Sequence, residues 1–139
     1  MHGSTIIILE DNEERISQFQ LVVSTLGAEF HLRLWRDAPT MIAECHPYLA
    51  KACLISLDHD LHPASGVTAD PGTGLDVAEF LGCREPVCPV IVHTSNNECR
   101  WSMYNALRFG KWQVEIVSPI GEAWIQSSWL PRARMLIRA

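Results

Sequence analysis

Five short apolar segments, each ending in polar residues and followed by residues at helical spacing, constrain this 139-residue chain more than any other feature. Thr5 to Leu9 is a continuous apolar run that stops at Glu10-Asp11, as a strand covered on both faces would. Ile16, Phe19, Val23 and Leu26 then recur at helical spacing, with Asn12 as cap, Glu13 and Glu14 at the positive end and Gly27 as stop. Phe30, Leu32 and Leu34 alternate as a second strand. Asp37 and Pro39 open a second helix that runs to about Cys45, where Pro47 breaks it. Cys53 to Leu57 is a third strand, ending in Asp58-His59-Asp60. A loop from Leu61 to Thr73 follows, long for a strand-to-helix connection, and long loops often carry function. Leu75, Ala78 and Leu81 mark the next helix, stopped by Gly82. Pro89 to Val92 is a fourth strand, followed by His93-Thr94-Ser95-Asn96-Asn97. Asn96 or Asn97 caps a helix carrying Trp101, Tyr104 and Leu107 and ending at Gly110. Trp112, Val114 and Ile116 form a fifth strand that stops at Ser118-Pro119, and a helical tail begins near Glu122 with Pro131 interrupting it.

Strands alternating with helices predict right-handed crossovers, a parallel five-stranded sheet and helices on both faces, in one α/β domain over residues 1–139. Ligands of such sheets bind beyond the carboxyl ends of the strands, at the switch in strand order. Glu10 and Asp11, then Asp58 and Asp60, then His93, Thr94 and Ser95, and finally Ser118 all follow strands, so they gather at one rim.

Composition narrows the partners. Eleven basic side chains against 16 acidic ones give a formal charge of −5, with no basic excess for a nucleic-acid backbone. A local basic patch at Arg132, Arg134 and Arg138 stays open. No apolar run approaches the roughly 20 residues of a membrane span, and Met1-His2-Gly3-Ser4 lacks the basic start of a secretory leader. Five cysteines, none spaced Cys-x-x-Cys, read as reduced packing residues of a cytoplasmic protein rather than a zinc site.

Several carboxylates crowded at one rim repel each other by several kcal/mol at an intermediate dielectric, on the order of what a divalent cation relieves. Magnesium prefers hard oxygen ligands of this kind. The expectation is a Mg²⁺ site on Asp11 and Asp58 with Glu10 behind them; the competing reading makes Glu10 and Asp11 solvated turn and capping residues.

The segments Ile6-Ile7-Ile8-Leu9-Glu10-Asp11-Asn12, Ile55-Ser56-Leu57-Asp58, Gly74-Leu75-Asp76, Pro89-Val90-Ile91-Val92-His93-Thr94 and Ile116-Val117-Ser118-Pro119 resemble the receiver domains of two-component response regulators. The resemblance implies a flavodoxin-like three-layer sandwich. It also implies an acidic metal pair at Glu10 and Asp11, a phosphoryl-accepting Asp58, a metal-binding backbone carbonyl at Asp60 and a phosphoryl-sensing hydroxyl at Thr94. Ser118 departs from the pattern, standing where receivers carry a lysine that offsets phosphoryl charge. Lys111 lies seven residues upstream, roughly 20 Å away along strand five, too far to replace it.

Two further motifs, Leu57-Asp58-His59-Asp60-Leu61 and His93-Thr94-Ser95-Asn96, resemble a divergent branch, the cyclic-phosphate processing receiver-like domains. Phosphoester hydrolysis needs charge neutralisation, a positioned nucleophile and a proton donor for the leaving oxygen. Mg²⁺ serves the first need and Asp58 or a water the second; His93 serves the third or replaces the missing lysine. The helix start at Ser95 to Asn97 offers N–H groups to a phosphate. Taken alone, His93 reads as a core histidine, while beside the carboxylates, Ser95 and Asn96 the functional reading is equally supported. Strand alternation sets Thr94 on the opposite side from His93 and Ser95. His59 reads as pointing to solvent, His46 and His62 as surface residues, and Trp101, Tyr104 and Trp112 as packing.

The first function implied is a Mg²⁺-dependent phosphoesterase acting on a cyclic or other phosphoester, carried by a small molecule or an RNA end. The alternative is a signalling receiver phosphorylated on Asp58 that meets a protein partner. A degenerate receiver that only binds partners is disfavoured because Asp11 and Asp58 both remain. A haloacid-dehalogenase-like phosphatase ranks last, since its Asp-x-Asp motif follows the first core strand and not the third.

Overall fold

The computed structural model describes residues 3–138, in which Thr5–Leu9 (β1), His31–Trp35 (β2), Ala52–Leu57 (β3), Val90–Val92 (β4) and Val114–Ile116 (β5) form one parallel sheet of order β2-β1-β3-β4-β5. The chain leaves β1 in one direction to make β2 and returns past it to make β3. The strand order therefore reverses between β1 and β3, and a crevice opens beyond their carboxyl ends.

The helices are Glu13–Ser24 (α1), Ala38–Glu44 (α2), His46–Leu49 (α3), Gly74–Gly82 (α4), Asn97–Phe109 (α5) and Leu130–Arg138 (α6). Their starts follow from capping chemistry. Asn12, Asp37, Thr73 and Asn96 each accept a backbone N–H three residues on, satisfying donors that a helix start leaves free. Thr73 and Asp76 complete a reciprocal capping box.

The apolar run of β1 divides by alternation. Ile7 and Leu9 join Trp35, Met41, Ile55, Leu57, Leu81 and Trp112 on one face. Ile6 and Ile8 join Phe19, Leu54, Ile91, Trp124 and Trp129 on the other. Burial on both faces explains why β1 reads as a continuous run rather than an alternating one.

Three sequence expectations change here. Pro47 ends α2 but also occupies the first turn of α3, where a missing N–H costs nothing. Trp101 is 53% exposed and stacks edge-on against Tyr104, because the buried face of α5 is made by Met103 and Leu107 instead. The tail begins as a π-helical turn, Ile125–Trp129, before α6; Pro131 sits in the first turn of α6, where a proline is tolerated.

Candidate active site

Glu10 and Asp11 follow β1 directly, and Asp58 follows β3. The Asp58 N–H bonds the Leu9 carbonyl at 3.1 Å, which sets the two strand ends side by side. One carboxylate oxygen from each of Glu10, Asp11 and Asp58 lies within 4.8 Å of the others. Asp60 follows in the same turn, but its carboxylate turns away: Oδ1 lies 2.8 Å from His59 Nδ1 and accepts from Asn96 Nδ2 at 3.4 Å.

Each acid has its own surroundings. Glu10 is fully buried; its Oε2 accepts the N–H groups of Asp11 and Asn12, and its Oε1 faces His93 Nε2 at 3.2 Å. Burial works to raise the Glu10 pKa, but the hydrogen bond and charge of His93, the Asn12 N–H and Arg15 together hold it below the ordinary carboxylate value. Asp58 is 5% exposed, and burial with the nearby Glu10 charge pushes its carboxyl up to about 6, against the pull of His93, the His59 N–H and Arg15. Two neighbouring acids are thus driven in opposite directions, a pattern that clusters at functional sites.

His93 lies behind Glu10 rather than beside the crevice. It is fully buried, with its ring between Phe19 at 5.2 Å and Trp124 at 5.7 Å. Its Nδ1 sits 2.6 Å from Ser56 Oγ, which accepts the indole N–H of Trp129 at 2.9 Å. Trp129 can only donate, so with a neutral ring the arrangement that satisfies every group has Ser56 donating to Nδ1 and Nε2–H donating to Glu10. The expectation that His93 reaches the leaving group or replaces the lysine gives way to a different geometry, because both ring nitrogens are engaged inside the core.

The other sequence candidates fall as follows. β4 ends at Val92, so alternation does not govern His93 and Thr94, and both are buried. Thr94 Oγ1 accepts the Asn96 N–H, so one of the donors expected for a phosphate is already used, and Asn96 Oδ1 accepts the Cys99 N–H in starting α5. Ser95 is exposed. His59 does not point to solvent: it is 7% exposed and wedged between Asp58 and Asp60, its N–H bound to Asp58 Oδ1 at 2.7 Å. Ser118 borders a groove with Ile120, Arg132 and Met135 between β5 and α6.

Four further residues shape the site. Ser56 and Trp129 fix His93. Arg15, on the first turn of α1, places Nη1 3.8 Å from Glu10 Oε1 and 3.9 Å from Asp58 Oδ2. Gly74 approaches the Asp58 backbone so closely that a Cβ there would collide with the Asp58 carbonyl oxygen, while its N–H bonds the His59 carbonyl. In the sequence Gly74 follows the long loop and belongs to the Gly74-Leu75-Asp76 segment that resembles receivers, but neither signal shows its approach to Asp58.

That loop is anchored at three points. Asp60 pairs with Thr73 in an isolated antiparallel bridge, the Pro71 carbonyl accepts the Ala38 N–H, and the His62 N–H donates to Asp11 Oδ2 at 2.7 Å. His62, read from sequence as a surface residue, is exposed yet clips the loop to the acidic centre. Between the loop and α2 a cavity of about 650 Å³ opens beside Asp11, walled by Arg36, Pro39, Pro63, Val67 and Pro71.

Comparison with known proteins accords with this geometry. The fold resembles a response regulator receiver domain from Rhodospirillum rubrum at 14% identity, covering 96% of this chain and 90% of that one, with a TM-score of 0.63. It resembles equally the receiver domain of a sensor histidine kinase from Pseudomonas aeruginosa, described with a magnesium ion coordinated in its active site cleft, at 15% identity, 99% coverage of both chains and a TM-score of 0.63. A phosphorylated cyanobacterial phytochrome response regulator matches at 15% identity over 98% of this chain and 89% of that one, with a TM-score of 0.62. No curated protein matches the sequence. Residues 6–109 match the family described as the cyclic-phosphate processing receiver domain, and the chain belongs to that family.

Proposed function

We propose that this domain uses a receiver scaffold to process a phosphoester, with Mg²⁺ held by Asp11 and Asp58 and by Glu10 at the base of the site. The donor set fits the ion: three carboxylates supply hard oxygens within 4.8 Å of one another, and the buried Glu10 keeps its charge through His93. When bound, the ion supplies the charge neutralisation that phosphoryl oxygens require. A backbone carbonyl from Asp60 would complete the protein ligands, as the family resemblance implies.

The observation that carries the reading is the cavity of about 650 Å³ that the long loop builds beside Asp11. A phosphoryl group alone needs far less room, whereas this volume suits a small organic molecule. Asp37 and Asp70 add acceptors to a lining that is otherwise rich in proline and aliphatic carbon. That lining suits an uncharged organic group with hydrogen-bond donors, while the phosphate sits at the acids. Asp58, as nucleophile or as base toward water, then stands at the reacting end.

The signalling alternative has an observation of its own. Asp58 Oδ1 is tied to the His59 N–H, and Oδ2 is turned toward Arg15 with no hydrogen bond among the described residues, as an acceptor oxygen would be. One experiment separates the two readings. The protein with Mg²⁺ is offered 2′,3′-cyclic nucleotides, RNA fragments ending in a cyclic phosphate, other phosphodiesters and acetyl phosphate, and both products and intact mass are followed. Opened phosphodiester with unchanged protein mass supports the enzyme. A stable phosphate adduct lost in Asp58→Asn, with no turnover, supports the signalling receiver and overturns the proposal.

A further inference from the structure

We propose that Arg15, held on the face of Trp124, is the cation that receives the phosphoryl oxygens at this site. The inference rests on the phosphoryl reading above and adds a residue that neither the sequence motifs nor the family match assigns.

Charge makes such a group necessary. Three carboxylates against one divalent cation leave a net charge of −1, and an incoming phosphate is then repelled unless a further positive charge stands beside the ion. The end of β5 does not provide one: Ser118 faces the groove toward α6. His93 is enclosed behind Glu10 with both nitrogens engaged. Arg36 is ion-paired with Glu13. His62 is tied to Asp11 through its N–H and ring, which leaves Arg15 as the arginine or lysine at Glu10 and Asp58 among the described residues.

Its geometry suits the role. Asn12 caps the Arg15 N–H, which places the side chain over the end of β1. The guanidinium lies 3.8 Å from Glu10 and 3.9 Å from Asp58, near enough to feel both charges but beyond hydrogen-bond length. It makes no side-chain hydrogen bond among the described residues, and at 32% side-chain exposure its planar fork of donors stays open to a ligand. Its Cζ sits 5.4 Å from the Trp124 ring, a cation–π contact. Trp124 is itself buried and packed edge-on against Phe19 at 5.9 Å, so the platform is rigid. Trp124 follows β5 in the chain, so the segment past that strand still positions the cation while α1 supplies it. A groove of about 410 Å³ opens onto the guanidinium; its lining includes Asn12, Gly121 and Trp124 and also two acids, Glu14 and Glu122, with Arg15 as its cation.

The test separates metal from anion. Mg²⁺ affinity is measured by calorimetry, and inorganic phosphate affinity at saturating Mg²⁺ by phosphorus NMR, for wild type, Arg15→Gln, Arg15→Lys and Trp124→Leu. Arg15→Gln should keep its fold and bind Mg²⁺ as well as wild type or more tightly, while losing about tenfold or more in phosphate affinity. Arg15→Lys should recover part of that loss, since it keeps the charge but not the planar fork. Trp124→Leu should weaken phosphate binding in wild type and add nothing in the Arg15→Gln background. Wild-type phosphate affinity in Arg15→Gln, with Mg²⁺ binding tightened or not, would make Arg15 a mere counter-ion and overturn the proposal. Uptake of Mg²⁺ but not phosphate by wild type would also overturn it and leave the metal site standing. Failure of wild type to bind Mg²⁺ would remove the metal reading, and the proposal with it.

Discussion

His62 donates its backbone N–H to Asp11 Oδ2 at 2.7 Å, and its ring Nδ1 lies 3.1 Å from the same oxygen. A residue 51 positions away thereby ties the long loop to the acidic centre, so the cavity wall and the metal site share one carboxylate. Asp11→Ala should release both bonds. Hydrogen exchange read by mass spectrometry should show the His62 amide losing about tenfold or more of its protection, the effect of losing a bond to a charged acceptor. Mg²⁺ affinity should fall in the same variant.

Asp58 makes the metal-free protein pH-sensitive in a definite direction. Its carboxyl titrates at about 6 when folded, because burial penalises the charged form, and near ~4 when unfolded. As pH rises from 4 to 6 the unfolded chain loses this proton first, so stability falls across that window and stays reduced above it. Asp58→Asn has no proton to lose. Without metal it should exceed wild type by on the order of 1–2 kcal/mol at pH 7.5, and the difference should shrink toward zero at pH 4. Urea denaturation at the two pH values checks this. Excess Mg²⁺ at pH 7.5 should close the gap by binding wild type.

Ser56→Ala should be costly despite the small change in volume. It leaves the Trp129 indole N–H and His93 Nδ1 without partners in the core, at about 1–3 kcal/mol for each unsatisfied group. A loss of about 2–4 kcal/mol in urea denaturation is expected. Nitrogen NMR of the imidazole should also show the His93 ring signals shifting, with Mg²⁺ affinity reduced because the His93 contact to Glu10 loosens.

Gly74→Ala tests the turn behind Asp58. The added methyl meets the Asp58 carbonyl, which is backbone and cannot rotate away. The Asp58-His59 turn must shift, at a cost of about 1–3 kcal/mol, the range typical of overpacking. Denaturation measures that cost, and calorimetry should show weakened Mg²⁺ binding. An equal methyl at Gly66, which has open space around it but a positive φ of 80°, should cost stability without affecting Mg²⁺.

Much of the fold was legible because its signals are local. The apolar run Thr5 to Leu9 and the caps at Asn12, Asp37 and Asn96 each report on a few neighbouring residues, and the structure places elements there. Glu10, Asp11 and Asp58 were legible as a cluster for a related reason. Parallel topology puts every strand's carboxyl end on one rim, and β1 and β3 are neighbours, so the residues that follow those two strands meet.

The succession of elements, the parallel sheet and the gathering of acids follow from periodicity, capping and chain direction, all of which are written along the chain. Which side chains face the crevice was set by long-range packing. It withdrew His93 behind Glu10, turned Asp60 toward His59, buried His59, and brought Arg15 and Trp124 to the acids from opposite ends of the chain. Those outcomes depend on packing between segments far apart in sequence and on which buried donor finds which acceptor. No local pattern encodes either of them.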